Sequence, residues 1–258
     1  MICVTRLRRN GEKMYNFFVE PSQIQGNGVR ITGSDVNHIK NVLRMRVGEE
    51  LSVSNGVDSK EYRCGIEGFG EDCVFCKVRF VKEADMELPS KVFLFQGLPK
   101  GDKMELIIQK AVELGVYEVI PVAAKRAVVK LDEKKAKGKT LRWQGIAEAA
   151  AKQSRRRIIP GVQGVMTMKE AIAYASGMDI RIIPYEMAEG MEKTKEIIAS
   201  LKPGQTIAVF IGPEGGFEEN EIEEAKAAGI YPITMGRRIL RTETAALAIL
   251  AWIMYQLE

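Results

Sequence analysis

The run Ile211-Gly212-Pro213-Glu214-Gly215-Gly216 follows an apolar stretch and precedes a helix start. Three glycines and a proline within positions 212–216 make a tight backbone that a ligand can approach closely. The spacing is neither the G-x-G-x-x-G of dinucleotide folds nor the Lys-Ser/Thr ending of a P-loop. The next residues, Glu218-Glu219-Asn220-Glu221, put carboxylates where a helix start would otherwise attract phosphate. The loop therefore suits a ligand that is not polyanionic. A second run, Met235-Gly236-Arg237-Arg238-Ile239-Leu240-Arg241-Thr242-Glu243-Thr244-Ala245-Ala246, leaves another strand and enters a helix that Thr242 can cap. Arg241 carries a fixed charge that can stabilise a developing anion. Glu243 can accept a proton, unless the first turn of the helix takes up its carboxylate. Two more runs carry cations: Gln96 to Lys103, with Lys100 and Lys103 beside glycines, and Ala151 to Arg157, with three consecutive arginines. A surface turn would explain the first equally well, and three arginines in a row suggest phosphate contacts for the second.

The elements that must position these residues fall into two styles. Before Leu88-Pro89-Ser90 the segments are short and alternating: Tyr15 to Glu20, Val29 to Thr32, Glu50 to Ser54, Glu61 to Ile66 and Val74 to Val81. One helix interrupts them, with Ser34 or Asp35 as cap and Val36, Ile39, Val42 and Leu43 at helical spacing. This pattern predicts a small β-barrel-like domain over residues 14–88. After Lys91, apolar strands alternate with amphipathic helices: strands at Val92 to Phe95, Tyr117 to Val122, Ile180 to Pro184, Ile207 to Gly212 and Tyr231 to Met235. Helices are expected from Asp102 and at about 132–154, 167–175, 192–200, 218–228 and 242–257. Such alternation predicts an α/β domain over residues 89–258, with a mostly parallel sheet and its ligand outside the strands' carboxyl ends.

At 258 residues, with 46% hydrophobic and 28% charged residues, the chain is an ordinary globular one. No apolar run approaches a membrane span, and the start lacks a signal-peptide core, so a cytoplasmic protein is expected. Four cysteines form no disulfide framework. Cys73-Val-Phe-Cys76 reads as strand rather than half of a metal site, because only one histidine, His38, is available; no metal is expected. From Lys125 to Arg157, twelve Lys/Arg face three Asp/Glu, whereas residues 1–90 carry thirteen of each sign. That local excess fits either a phosphate-backbone partner or a solvated helix face.

The loops Gly212 to Gly216 and Arg238 to Ala245, in this order and spacing, resemble the cofactor loops of SPOUT methyltransferases. Together with His38-Ile-Lys-Asn-Val-Leu-Arg44, Gln96 to Gly115 and Glu148 to Ser154, they resemble the family that methylates N3 of a uridine in small-subunit (16S) ribosomal RNA. The resemblance covers nearly everything from Met14 onward, so residues 1–13 read as an extension or a mis-assigned start. It implies an N-terminal PUA-like RNA-binding barrel and a C-terminal α/β domain with a trefoil knot, an exception to ordinary chain topology. It further implies a homodimer acting on 16S rRNA or the small subunit, without a membrane. S-adenosylmethionine would lie between loops around Ile183 and Pro184, at Ile211, Gly212, Pro213, Glu214, Gly215 and Gly216, and at Met235, Gly236, Ile239, Leu240, Arg241, Thr242 and Thr244. Arg241 and Glu243 are the expected catalytic residues. His38, Arg44, Arg46, Lys100, Lys103, Arg126, Arg155 and Arg156 are the expected RNA contacts, and the pattern departs from the family's at Asn16, Lys125, Lys152 and Arg155. A related enzyme acting on a ribose 2′-hydroxyl, or a non-catalytic RNA-binding assembly factor, are the alternatives.

Overall fold

The computed structural model describes residues 6–9, 12–83, 86–188 and 190–258. It divides into two units, residues 1–87 with 151–159 and residues 88–150 with 160–258. The segment 151–159, expected within the second domain, thus belongs with the first unit.

In the first unit, strands β1 (Arg6–Arg9), β2 (Glu12–Phe18), β3 (Ile24–Gln25), β4 (Gly28–Thr32), β5 (Glu50–Ser54), β6 (Lys60–Phe69) and β7 (Cys73–Glu83) form one sheet in the order β1-β2-β5-β6-β7-β4-β3. All its ladders are antiparallel except that between β2 and β5. Alternation sets the faces: in β4, Val29 and Ile31 are buried while Arg30 and Thr32 are exposed. Phe17, Leu51, Val53, Cys64, Ile66 and Val74 complete that core. Cys64, Cys73 and Cys76 are buried free thiols, and burial pushes those of Cys64 and Cys76 up to about 12. Of residues 1–13, 1–5, 10 and 11 lie outside the described residues; Arg6–Arg9 pair with residues 12–15.

The predicted helix starts one residue early. Gly33, at φ +76°, precedes α1 (Ser34–Asn37), so neither Ser34 nor Asp35 is the cap. The chain then widens into a π-helical turn, His38–Val42, closed by Leu43 N–H donating to the His38 carbonyl at 2.8 Å. The extra residue in the turn carries Val42 out to solvent instead of into the core.

A buried ionic cluster holds 151–159 to the first unit. Glu61 is ion-paired with Arg157 Nη2 at 3.0 Å and with Arg63 Nε at 2.6 Å, and it accepts a hydrogen bond from Ser52 Oγ at 2.9 Å. Arg157 Nη1 donates to Ser54 Oγ at 3.1 Å and also to Asn16 Oδ1. Burial pulls the Arg157 guanidinium down from its ordinary value, and Glu61 opposes that pull.

The second unit contains β8 (Lys91–Gly97), β9 (Glu118–Ala123), β10 (Gly161–Val162), β11 (Met166–Thr167), β12 (Ile180–Pro184), β13 (Thr206–Ile211) and β14 (Tyr231–Ile233). They pair in parallel in the order β10-β9-β8-β13-β12-β14, with β11 also on β9. The helices are α2 (Lys103–Glu113), α3 (Glu133–Ser154), α4 (Met168–Ala175), α5 (Met191–Ala199), α6 (Glu219–Ala227) and α7 (Thr242–Leu257). Apolar residues on both faces of β8 and β13 explain why this sheet is covered twice. Phe93, Phe95, Ala208 and Phe210 pack with Met168 and Ala171 of α4 and Ile222 and Ala225 of α6. The Phe95 and Phe210 rings stack at 4.3 Å. Helix α7 lies against β13 and α2, burying Ile249, Leu250 and Ile253. Because β12 sits between β13 and β14, the carboxyl ends of three strands from different parts of the sequence lie side by side. Among the described residues no helix is long and apolar enough to cross a membrane.

Candidate functional site

The loops leaving those three strand ends close around one cavity of about 460 Å³. Pro184, Tyr185 and Glu186 come from the end of β12, Ile211 to Phe217 from β13, and Thr234 to Arg241 from β14. Thr242 and Ala245 of α7 and Lys103 of α2 complete the wall. A pocket at neighbouring strand ends is where a parallel sheet places its ligand.

Two sets of side-chain bonds hold the loops together. Thr242, expected as a helix cap, is the first residue of α7 instead, with Arg241 in the cap position. Its hydroxyl donates to the Gly212 carbonyl at 2.6 Å and accepts from Gln96 Nε2 at 2.9 Å. The hydroxyl has one proton, which Gly212 takes, so Gln96 must be the donor. Gln96 is fully buried and its Oε1 has no hydrogen-bond partner. Beside it, Gly97 packs directly on the loop: a Cβ there would come within 2.5 Å of Pro213 Cδ. The loop reverses at Gly216, whose φ of +67° suits glycine.

The second set centres on Glu214. Its carboxylate accepts from Lys100 N at 3.1 Å and from Lys103 Nζ at 2.8 Å. Burial works against its charge, yet Lys103 and the backbone amides hold its carboxyl below the ordinary range. Lys103 Nζ also lies 3.6 Å from Glu243 Oε2. The hydrogen bond to Glu214 raises the Lys103 ammonium above its ordinary range, and Glu243 adds to that. Glu243 makes no capping bond; its Oε2 is buried without a hydrogen-bond partner. Helix α6 is capped by its own acidic residues, with Glu221 accepting from Glu218 N at 2.8 Å. That helix start therefore offers nothing to a phosphate.

Most residues expected to surround the cofactor line this cavity, with corrections. Ile183 points into the core, fully buried, because alternation along β12 turns it away; the strand end contributes Pro184 and, unforeseen, Tyr185 and Glu186. Thr244 is exposed and outside the lining, whereas Thr242 and Ala245 of the same helix reach it. Ile239 lines the mouth but is 88% exposed. Phe217, Thr234, Arg237 and Arg238 also line it, although none was among the expected cofactor residues. Phe217 directly follows the glycine-rich run, Thr234 directly follows β14, and Arg237 and Arg238 stand within the second run, which was the available signal.

The expected RNA contacts divide. Arg156 is 4% exposed and gives Nε and Nη2 to Glu87 at 3.0 and 2.5 Å. It is a buried ion-pair partner, so the phosphate role is corrected. Lys103 is turned to the pocket carboxylates rather than outward. Lys100, Arg126 and Arg155 are exposed, Arg126 Nη1 reaching the Gly215 carbonyl at 3.3 Å. In the first unit, His38 packs its ring against Phe17, with Nε2 unpartnered, just ahead of exposed Arg44 and Arg46. Arg44 holds φ at +53°, which is uncommon outside glycine.

Residues 86–254 match the RNA methyltransferase domain, and residues 31–78 match the RNA methyltransferase PUA domain. The chain belongs to the RNA methyltransferase family. It is 39% identical to Ribosomal RNA small subunit methyltransferase E of Bacillus subtilis (strain 168), over 95% of this chain and 98% of that one. The enzyme of that name from Mesomycoplasma hyopneumoniae (strain 232) is 32% identical over 92% and 97%. The crystal structure of Ribosomal RNA small subunit methyltransferase E from Neisseria gonorrhoeae, bound to S-adenosyl methionine, superposes with a TM-score of 0.78 at 30% identity, covering 94% of this chain and 97% of that one. The cavity described above thus lies in the methyltransferase domain of an RNA methyltransferase.

Proposed function

We propose that the chain transfers a methyl group from S-adenosylmethionine to N3 of a specific uridine in 16S rRNA of the small ribosomal subunit. The observation that carries this is the convergence of three strand-end loops on one cavity whose wall combines a glycine-rich backbone, Arg241 and Lys103, with Glu243 behind the wall 3.6 Å from Lys103 Nζ. The cavity suits the cofactor: it is of small-molecule size and the helix start beside it is self-capped. The chain's relatives support the reading, including the S-adenosyl methionine-bound structure from Neisseria gonorrhoeae. Pro184, the backbone of Gly212 to Gly216, and Met235, Gly236 and Leu240 would hold it. When bound, it supplies an electrophilic methyl group on a sulfonium.

The chain's own residues do the rest by positioning and charge. Uracil N3 carries a proton, which the Glu243 carboxylate takes; that carboxylate is not spent on capping. Arg241, exposed at the pocket wall, places a permanent charge beside the uracil anion. The target base leaves its stack to enter. The first unit and the cations Arg44, Arg46, Lys100, Arg126 and Arg155 hold the RNA backbone. The reading also includes a PUA-like barrel over residues 14–88, a trefoil knot within 89–258, a homodimer and a cytoplasmic location.

Labelled S-adenosylmethionine, incubated with unmodified small subunits or free rRNA and followed by nucleoside analysis, tests this. The expected product is 3-methyluridine, lost in Arg241→Ala. Ribose methylation would place the protein with 2′-hydroxyl enzymes instead.

A further inference from the structure

Lys103 was expected to touch RNA, and the structure puts it in the wall of the cavity. Its side chain is 33% exposed, it lines the cavity, and it comes from α2 rather than from any of the three cofactor loops. An ammonium has three N–H donors. One is given to Glu214 at 2.8 Å; Glu243 Oε2, at 3.6 Å, is beyond hydrogen-bond reach. Donor capacity therefore remains beside the carboxylate proposed to take the N3 proton. We propose that Lys103 recognises the uracil edge, donating to the carbonyl oxygen next to N3 while Glu243 faces N3–H. This rests on the uridine-N3 reading above.

The pairing has a chemical direction. Uracil presents a carbonyl acceptor, an N–H donor and a second carbonyl acceptor in sequence. An ammonium beside a carboxylate matches an acceptor beside a donor. Cytosine presents an amino donor and a bare ring nitrogen there, so both groups would meet their own kind. Transfer balances as follows: the N3–H proton passes to the Glu243 carboxylate, its electron pair stays on N3 and spreads onto the carbonyl oxygens, and that pair forms the new N3–CH₃ bond. The S–CH₃ pair returns to sulfur, leaving a neutral thioether. Lys103 acts where negative charge grows, on the carbonyl oxygen, in the way a fixed donor stabilises an oxyanion.

The test compares the parent with Lys103→Met and Lys103→Arg in single-turnover methylation at saturating cofactor across pH, alongside calorimetric titration with S-adenosylmethionine. Lys103→Met should lower the rate about 100-fold near neutral pH, the cost of one removed oxyanion donor. The deficit should shrink as pH rises, because the uracil anion then forms without help. Lys103→Arg, which keeps cationic donors, should recover most of the rate. Weakened cofactor binding with an unchanged rate at saturation would mean that Lys103 only anchors Glu214, and would overturn the inference. So would a rate deficit independent of pH. A parent enzyme that methylates ribose would overturn the uridine-N3 reading and this inference together, whereas a parent that makes 3-methyluridine and a Lys103→Met variant of equal rate would overturn this inference alone.

Discussion

Thr242 shows how one hydroxyl can set a site. It joins the end of β8, through Gln96, to the loop after β13, through Gly212. Thr242→Val keeps the shape but leaves the Gly212 carbonyl and a Gln96 N–H without a partner. The expected cost is about 1–3 kcal/mol of stability, read by denaturant unfolding, with cofactor affinity reduced in the same variant; Thr242→Ser should retain both. Gly97→Ala tests the same junction by volume. Its Cβ would meet Pro213 backbone nitrogen at 2.6 Å as well as Cδ, so no side-chain rotation relieves the clash and the loop must move. A loss of roughly 1–3 kcal/mol is expected, with weaker S-adenosylmethionine binding in calorimetry. An unshifted melting curve would mean the loop is looser than the contact implies. The sequence displayed every one of these residue types, and the motif around Thr242 was legible as a site. Its bonding was not, because Gln96 and Thr242 are 146 positions apart and capping is the nearest local explanation for a threonine before a helix.

At the scale of elements, periodicity was a good guide wherever an element was long or buried. Strands β5 and β12 and helix α3 fall close to their expected bounds, since each combines a clear period with punctuating turn residues. Strands β3, β10 and β11, two residues each, left no period to read. The π-helical turn at His38–Val42 escaped for another reason: helical spacing assigns Val42 inward, and one inserted residue reverses that. The arginine run at the end of α3 misled most. Consecutive arginines suggest phosphate, but Arg156 and Arg157 are spent on Glu87 and Glu61, which lie 69 and 96 positions earlier. This makes a direct prediction. Arg157→Met leaves Glu61 buried with Arg63 as its remaining cation and should cost about 3–5 kcal/mol in the unfolding of the first unit. The double variant Arg157→Met with Glu61→Gln should recover part of that loss, because the stranded charge is gone. A single variant as stable as the parent would show that the cluster is not what holds residues 151–159.

For the whole molecule the question is how a net charge of +4 engages a polyanion. The local excess between Lys125 and Arg157 overstates the available charge. Lys135 and Lys137 are paired with Asp132 and Glu133, Arg142 with Glu105, and Arg156 and Arg157 are buried. The exposed cations proposed for RNA are Arg44, Arg46, Lys100, Arg126 and Arg155. If each neutralises one phosphate, counterion release predicts that log affinity falls with log salt at a slope of roughly −4, since each contact contributes about 0.7–0.9. Arg46→Ala should reduce that slope by about one contact and weaken binding similarly for any RNA sequence. Arg156→Ala should leave the slope unchanged while lowering the melting temperature, because its partner Glu87 loses a buried cation. The two variants remove the same charge from the same protein, so net charge alone predicts identical salt behaviour. Filter-binding titrations at several salt concentrations separate the cases: equal slopes would mean that RNA binding follows overall charge, and unequal slopes that it follows particular exposed cations.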